Sequence, residues 1–183
     1  DAGHVKIYSW NGSSWSQLGS DIDGEATGDR SGYSVSLDSD GDRVAIGAIR
    51  NGGSFSDAGH TRIYSWDGSS WNQLGSDIDG EGEDDRSGNS VSLDSDGDRV
   101  AIGGRRNDGG GGNAGHARIY SWDGSSWSQL GSDIDGEGAD DRFGYSVSLD
   151  SDGDRVAIGG RRNDGNGSDA GHARIYSWDG SSW

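Results

Sequence analysis

The sequence predicts an all-β fold made of tandem units, each with four antiparallel strands. Residues 1–56 recur almost letter for letter at 57–112 and 113–168, and a fourth copy begins at residue 169. Within each copy, short segments alternate apolar and small polar residues, which is the period of a strand with one packed face. Clusters of Gly, Asn and Asp between these segments indicate turns. Each unit must therefore stack on its neighbours to bury its apolar residues.

The third copy shows the first two strands of the unit. Strand a is predicted over residues 145–149, where apolar residues occupy every second position. The Asp152-Gly153 pair that follows suits the positive φ of a tight hairpin. Strand b, residues 155–159, is apolar or small on both faces, so we expect it inside a sheet. The Gly-rich stretch 160–170 is predicted to be a loop.

The other two strands complete the unit. Strand c is predicted over residues 172–178, and the second copy shows strand d at 71–74. Trp66 and Trp71 bracket a four-residue loop, so we expect them to face each other across the hairpin. The remainder, residues 75–86, is predicted to connect strand d to the next strand a. Four-stranded units at this spacing favour the blades of a β-propeller, and an open stacked array is the alternative geometry.

The strand order defines the predicted unit boundaries. Residues 1–22 hold strands c and d of an incomplete blade, residues 31–78 and 87–134 each form a blade, and residues 143–183 form a blade that lacks most of its last strand. These units are too few to close a ring of four or more blades. We expect either further repeats beyond the given ends, or association of copies in which the leading strands complete another chain's strands a and b.

Composition limits the classes of function. The chain has 32 acidic and 15 basic residues and a net charge of −17, so it should repel nucleic acid and anionic membranes and attract cations. A hydrophobic content of 28% is typical of disorder, but eight Trp, six Tyr and the strict alternation indicate a folded protein with thin cores. No stretch is long and apolar enough to cross a bilayer as a helix. We expect no nucleic-acid binding and no membrane insertion.

A pair of tryptophans recurs once per unit. Each pair can pack against a neighbouring unit, or its exposed faces can stack on the apolar side of a sugar. Both interpretations remain open from the sequence. The residues are Trp10, Trp15, Trp66, Trp71, Trp122, Trp127, Trp178 and Trp183.

Acidic residues alternate in the turn between strands a and b. Calcium takes six to eight oxygen ligands, and acids at alternating positions of a turn can converge on one ion. The alternative is that these side chains cap the turn and keep the chain soluble. The predicted fold requires no cofactor, and calcium is the only metal ion that these turns suggest. The candidate ligands are Asp38, Asp40, Asp42, Asp94, Asp96, Asp98, Asp150, Asp152 and Asp154.

Two further polar features recur with every unit. The connector after strand d offers a second set of acids, which is Asp77, Asp79 and Glu81 in the second copy. It lacks the spacing of an EF-hand, whose twelfth position is a bidentate glutamate. One histidine per unit, such as His60, is either a metal ligand or a strand-start side chain bonded to a neighbouring loop.

The motifs of the third copy resemble the FG-GAP repeat of integrin alpha-subunit propellers and related extracellular proteins. They are Phe143-Gly-Tyr-Ser-Val, the Asp150-Ser-Asp-Gly-Asp turn, Ile158-Gly-Gly, and Gly171-His-Ala-Arg-Ile-Tyr. In the other copies Phe-Gly is replaced by Ser-Gly, and the Gly-Ala-Pro positions read Gly-Ala-Ile or Gly-Gly-Arg. The resemblance implies a propeller-type blade, extracellular placement, and a role in adhesion or surface structure, often with calcium in the turn between strands a and b.

Catalysis is not expected, because every His, Asp and Ser recurs in the same setting and no repeat is singled out for chemistry. The sequence favours an extracellular structural protein of a cell surface or filament, which self-associates or packs against neighbouring repeats of a longer chain. The alternative is an adhesion module that binds a glycan or a surface protein. Sequons at Asn11 and Asn166 are candidate glycosylation sites and favour secretion.

Overall fold

The computed structural model describes residues 1–53 and 55–183, and these residues form 17 β-strands and no helix. The strands of every sheet pair antiparallel, so the prediction of an all-β fold with tandem four-stranded units is confirmed. Ser54, which falls in the predicted blade 31–78, lies outside the described residues. The described part of the chain contains no helix long and apolar enough to cross a membrane.

Four short strands precede the first complete blade. β1 (His4–Val5) pairs with β4 (Ile22–Asp23), and β2 (Tyr8–Trp10) pairs with β3 (Trp15–Gln17). They correspond to strands c and d and to the connector that follows. We refer to them as the leading strands.

Two complete blades and a third, shorter one follow. The first blade joins β5 (Ser31–Leu37), β6 (Arg43–Ala48), β7 (His60–Trp66) and β8 (Trp71–Gln73) in that order, with β9 (Ile78–Asp79) paired to the start of β7. The second blade repeats this arrangement with β10 (Ser87–Leu93), β11 (Arg99–Gly104), β12 (His116–Trp122), β13 (Trp127–Gln129) and β14 (Ile134–Asp135). The third consists of β15 (Ser146–Leu149), β16 (Arg155–Gly160) and β17 (His172–Ser177).

The sequence pattern does not predict one short strand in each of the two complete blades. Residues 75–86 are predicted to be a connector throughout, yet Ile78 and Asp79 pair with Thr61 and His60 of the same blade. Two residues are too few to display a period of two, so alternation could not reveal this strand. The pairing brings the acidic connector beside the start of β7.

The apolar cores lie between consecutive sheets. Ala45 and Ile63 of the first blade pack with Val91 and Leu93 of the second in one cluster. On the opposite face of β6, Val44 packs with residues of the leading strands. Val44 and Ala45 are 1% and 0% exposed, which confirms that strand b is buried on both faces. The first and second blades are therefore each stabilised by sheets on both sides.

Candidate functional site

The tryptophan pairs form across the hairpin between strands c and d. Trp66 and Trp71 are direct cross-strand partners, as the loop length predicts. Their ring centroids lie 5.4 Å apart and their planes are inclined by 49°. The same tilted geometry recurs in the other three pairs.

Each tryptophan pair of a blade packs against the unit before it. The Trp71 Nε1–H donates a hydrogen bond to the Leu18 carbonyl at 2.9 Å. The Trp66 ring covers Gly19, where an added Cβ atom would lie 2.7 Å from Cζ3. Equivalent hydrogen bonds join Trp127 to Leu74 and Trp183 to Leu130. These contacts support the packing role over the glycan role for the pairs in the blades.

The leading pair differs from the other three. Trp10 and Trp15 are 52% and 66% exposed, because the structure holds no unit in front of them. The tryptophans of the blades are all partly buried. Residues of identical type and spacing thus have different surroundings.

Glycines of the repeat motif bring the backbones of adjacent blades together. A Cβ atom on Gly103 in strand b would lie 2.0 Å from the Gly144 carbonyl oxygen. Gly144 follows Phe143, has a φ of 77°, and approaches the carbonyl of His116 equally closely. No side chain fits at either glycine, so the Phe-Gly and Ile-Gly-Gly motifs are contact residues between blades.

Hydrogen bonds also join equivalent turns of consecutive repeats. The Ser39 amide and hydroxyl donate to the Ser95 carbonyl at 3.1 and 2.9 Å. Arg43 Nη1 donates to the Gly97 carbonyl at 3.0 Å. The same bonds recur one repeat later, from Ser95 to Ser151 and from Arg99 to Gly153. Stacked copies present the same groups in the same order, so the contact repeats with the sequence.

The predicted calcium ligands lie in these turns. Asp38 Oδ1 accepts hydrogen bonds from the backbone N–H groups of Asp42 and Arg43 at 3.0 and 3.1 Å, which is the turn-capping role. Similar caps form at Asp94 and Asp150. Protonated Asp42 can donate a hydrogen bond to the Asp38 carboxylate, which raises the pKa of Asp42, and burial raises the pKa of Asp94 to about 6.

The three acids of a single turn do not form a ligand group of three within 4.8 Å in the described chain. Instead, acids of adjacent turns line shared grooves. A groove of about 410 Å³ is lined by Asp38, Asp40, Asp42 and Asp96. The next groove, of about 540 Å³, is lined by Asp94, Asp96, Asp98 and Asp152. A cation in either groove would contact carboxylates of two repeats, and calcium at these turns stays a prediction.

The two sequons lie at the surface. Asn11 and Asn166 are both exposed. The Asn11 Oδ1 accepts hydrogen bonds from the backbone N–H groups of Ser13 and Ser14 at 2.9 Å. Asn11 therefore caps the hairpin turn in the same way that an aspartate does in the other copies. Glycosylation at either residue also stays a prediction.

A second group of side chains could not be assembled from the sequence. The sequence presents the histidine and the connector acids as separate features, whereas the structure places ligand atoms of Glu25, His60 and Asp77 within 4.8 Å of one another. The equivalent group is Glu81, His116 and Asp133. The glutamate, histidine and aspartate recur at a constant spacing in the two groups, which was the available sequence signal. The pairing of β9 with β7 is what brings them together.

The pKa values of the histidine and the aspartate in these groups are shifted by different causes. His60 is 1% exposed, and burial lowers the pKa of its imidazole, which favours the neutral form. The adjacent His116 imidazole lowers the pKa of Asp133 to about 2. Each group therefore combines a buried imidazole with two carboxylates.

Comparison with known proteins agrees with this architecture. Residues 132–176 match the FG-GAP repeat model. No curated protein sequence matches the chain. A solved structure of a protein provisionally named a 6-phosphogluconolactonase, from Bacteroides uniformis, is similar over 98% of this chain at 11% identity with a TM-score of 0.66. A second solved structure is that of the tricorn protease. The match covers 78% of this chain and 12% of the protease chain at 9% identity, with a TM-score of 0.43.

The chain spans 45% of the length of the Bacteroides protein, and at this identity the likeness shows the fold alone. That fold is a propeller, which agrees with the blade-like sheets of this chain. The match over residues 132–176 covers strands a, b and c of the third copy and confirms the resemblance stated from its motifs. Residues 132–176 therefore match an FG-GAP repeat, and the repeated antiparallel sheets of the chain are compatible with β-propeller blades.

Proposed function

We propose that this chain is an extracellular structural scaffold of a cell surface or filament, extended by stacking identical blades, and that it is not an enzyme. The FG-GAP repeat is a non-enzymatic repeat type, which supports the second part. One observation carries the first part. Contacts between consecutive units recur along the chain, and apolar residues that are buried in the second blade have exposed equivalents in the first and third blades.

The exposed faces correspond to the two halves of the internal contact. Val35 of the first blade is 54% exposed, whereas the equivalent Val91 is 8% exposed. At the other end, Ile175 is 76% exposed and the equivalent Ile119 is 1% exposed. Inside the chain, Ile63 and Val91 pack in one cluster. Ala45 of strand b belongs to the same cluster, whereas in front of Val35 the position of Ile63 is taken by Ile7 and the position of Ala45 is unfilled.

This contact joins two different faces, so it does not close on itself after two copies. Such heterologous contacts generate rings when the rotation closes and filaments when it does not. Fully burying one Val or Ile side chain contributes about 1.5–3 kcal/mol. The partner for both faces is a second copy of the unit, in the same chain or in another molecule. Self-association is therefore the behaviour that tests the proposal.

Sedimentation velocity and negative-stain electron microscopy over a range of concentrations provide the test. The wild-type chain should form linear assemblies. Val35→Glu and Ile175→Glu each place a charge on one of the exposed apolar faces, so each variant should assemble less than the wild type does. Both positions are exposed, so circular dichroism should show unchanged folding. A wild-type chain that stays monomeric at every concentration would refute the proposal, as would filaments that persist in both variants.

The second candidate function is adhesion through recognition of a glycan or a surface protein. The exposed rings of Trp10 and Trp15 favour it, because an uncovered indole face suits the apolar side of a sugar. A glycan array probed with the wild type and with the Trp10→Ala/Trp15→Ala variant tests this role. Tyr33→Ala, an exposed aromatic position at 48%, serves as the control. Binding that survives in the double variant would exclude the leading pair as the binding surface.

Calcium is part of the structural proposal. An ion in the groove lined by Asp40 and Asp96 would neutralise carboxylates from two turns and hold neighbouring repeats together. The melting temperature should then rise with Ca²⁺, fall with a chelator, and respond less in Asp96→Asn. Equal responses in wild type and variant would exclude these grooves.

Extracellular placement has its own test. Secretion from a eukaryotic host should attach glycans at Asn11 and Asn166, because both sequons are exposed. A mass shift that a glycosidase removes, and that Asn11→Gln and Asn166→Gln each reduce, is the expected result. A secreted chain with no such shift would remove glycosylation from the proposal.

A further inference from the structure

Two buried histidines carry a ring nitrogen that lacks a hydrogen-bond partner. The Nδ1 atoms of His60 and His116 are both in this state, and His116 lacks a partner for Nε2 as well. The two residues are 1% and 0% exposed and are therefore shielded from bulk solvent. A buried polar atom left without a partner is unfavourable and requires an explanation. Both Nδ1 atoms lie within about 4 Å of two carboxylate oxygens.

The distances around these atoms are too long for hydrogen bonds. His60 Nδ1 lies 3.4 Å from Asp77 Oδ2 and 4.0 Å from Glu25 Oε2. In the second group, His116 Nδ1 lies 3.8 Å from Asp133 Oδ2 and 3.7 Å from Glu81 Oε2. Hydrogen bonds of this type measure about 2.7–3.2 Å. Two ligands of one tetrahedral zinc ion, each about 2.0–2.2 Å from the metal, lie about 3.4 Å apart.

The remaining carboxylate oxygens are held by other side chains. Asp77 Oδ1 accepts a hydrogen bond from Gln73 at 2.6 Å, and Glu25 Oε1 lies 3.5 Å from Arg62 Nη1. These contacts leave Asp77 Oδ2 and Glu25 Oε2 directed at the imidazole. Asn51 also donates to Glu25 Oε2 at 3.2 Å, which occupies one of its two lone pairs. Outer side chains that orient the ligand oxygens in this way are typical of metal sites.

The second group repeats the contacts from glutamine and arginine. Gln129 donates to Asp133 Oδ1 at 2.7 Å, and Arg118 Nη1 lies 3.4 Å from Glu81 Oε1. Two independent copies of the arrangement, one repeat apart, make it a property of the repeat unit.

We propose that each group binds one divalent transition-metal ion of the zinc class, with Glu25, His60 and Asp77 as ligands in the first site and Glu81, His116 and Asp133 in the second. One imidazole nitrogen and two carboxylates suit zinc, whereas calcium takes six to eight oxygens. A water molecule completes the tetrahedron. Glu25 lies in the connector before the blade and the other two ligands lie in the blade, so the ion fastens the connector to the blade.

The other two histidines of the repeat, His4 and His172, do not have the full set of proposed metal ligands around them. His4 is exposed, and Asp21, which corresponds to Asp77, pairs with Lys6 at 3.2 Å. His172 lies 3.8 Å from Glu137 and belongs to no group of three ligand atoms among the described residues. The structure therefore predicts two ions per chain, with His4 as a matched control position.

Isothermal titration of the metal-stripped chain with Zn²⁺, in excess Ca²⁺ to occupy the acidic turns, tests the proposal. The wild type and His4→Gln should bind two ions, and His60→Gln and His116→Gln should each bind one. The double histidine variant should bind none. Co²⁺ should produce visible absorption bands of tetrahedral coordination that the double variant lacks.

Absence of saturable Zn²⁺ binding to the wild type would overturn the proposal, as would two ions retained by the double variant. Because the histidines are buried, circular dichroism must show that their variants fold. If they do not, the exposed ligands replace them: Glu25→Gln with Glu81→Gln should weaken binding at least tenfold without unfolding the chain. Unchanged affinity in that folded variant would likewise overturn the proposal.

Discussion

Replacing Trp127 tests how much the contact between consecutive units contributes to the free energy of unfolding. The Trp127 indole N–H donates to the Leu74 carbonyl of the preceding repeat at 2.8 Å, and the ring packs on the core shared by the first two blades. Phenylalanine at this position keeps an aromatic ring but removes the donor. Trp15 occupies the equivalent position in the leading strands and is 66% exposed, so Trp15→Phe is the matched control.

The structure sets the expected magnitude. Without the indole, the partly buried Leu74 carbonyl loses its donor, which costs about 1–3 kcal/mol. The smaller ring leaves unfilled space against the core and adds about 1 kcal/mol. We expect Trp127→Phe to lower the free energy of unfolding by about 2–4 kcal/mol. Trp15→Phe should change it by no more than about 0.5 kcal/mol.

Urea unfolding followed by circular dichroism is the appropriate assay, because tryptophan fluorescence changes with the number of indoles. A lower midpoint with an unchanged m-value gives the stability difference directly. A lower m-value for Trp127→Phe would show that the blades no longer unfold together. Equal losses in the two variants would refute the reasoning, since residue type and not the contact with the preceding repeat would then determine the effect.

Ile119 and Gly75 can each be compared with a control position, and Asp123 can be tested by titration. Ile119→Ala should cost about 2–5 kcal/mol and Ile175→Ala less than about 0.5 kcal/mol in urea unfolding, because the side chains are 1% and 76% exposed; similar costs would contradict the described packing. Gly75 and Gly68 both have positive φ, but only at Gly75 would a Cβ atom meet the tryptophan of the next repeat, at 2.8 Å. Alanine should cost about 1–2 kcal/mol at Gly68 from the backbone alone and about 1–3 kcal/mol more at Gly75, and equal melting temperatures would exclude the clash. Hydrogen bonds from the backbone N–H of the serines that follow lower the pKa of Asp123 to about 2, so its stabilising contribution should be present above about pH 3.9 and lost as the pH falls toward 2. Carboxyl NMR titration should place its midpoint near 2, and a midpoint near 3.9 would show that the turn does not hold the carboxylate.

Much of the fold could be predicted because it follows from local periodicity. Strand b is apolar on both faces, and Val44 and Ala45 are indeed buried on opposite sides. The loop length predicts the pairing of Trp66 with Trp71. Ile78 and Asp79 could not be assigned to a strand, because two residues carry no period.

The candidate site was less accessible to sequence reasoning. The acidic turns were visible as a motif, but the three acids of one turn do not gather, because Asp38 caps backbone N–H groups instead. Glu25, His60 and Asp77 were visible only as separate residues. They meet because β9 pairs with the start of β7 and because the connector of the preceding unit runs beside it. Neither contact leaves a pattern in the local sequence.

By itself the sequence determined the repeat length, the all-β class, the four main strands of each unit and the facing tryptophans, since these depend on spacing along the covalent chain. Only the tertiary structure decided that Val35 is 54% exposed while Val91 is 8% exposed, although both are the same residue of the same repeat. It also decided that a buried imidazole faces two carboxylates. Burial and proximity depend on which unit stacks against a given face, and copies that are nearly identical in sequence do not encode which neighbour each of them has.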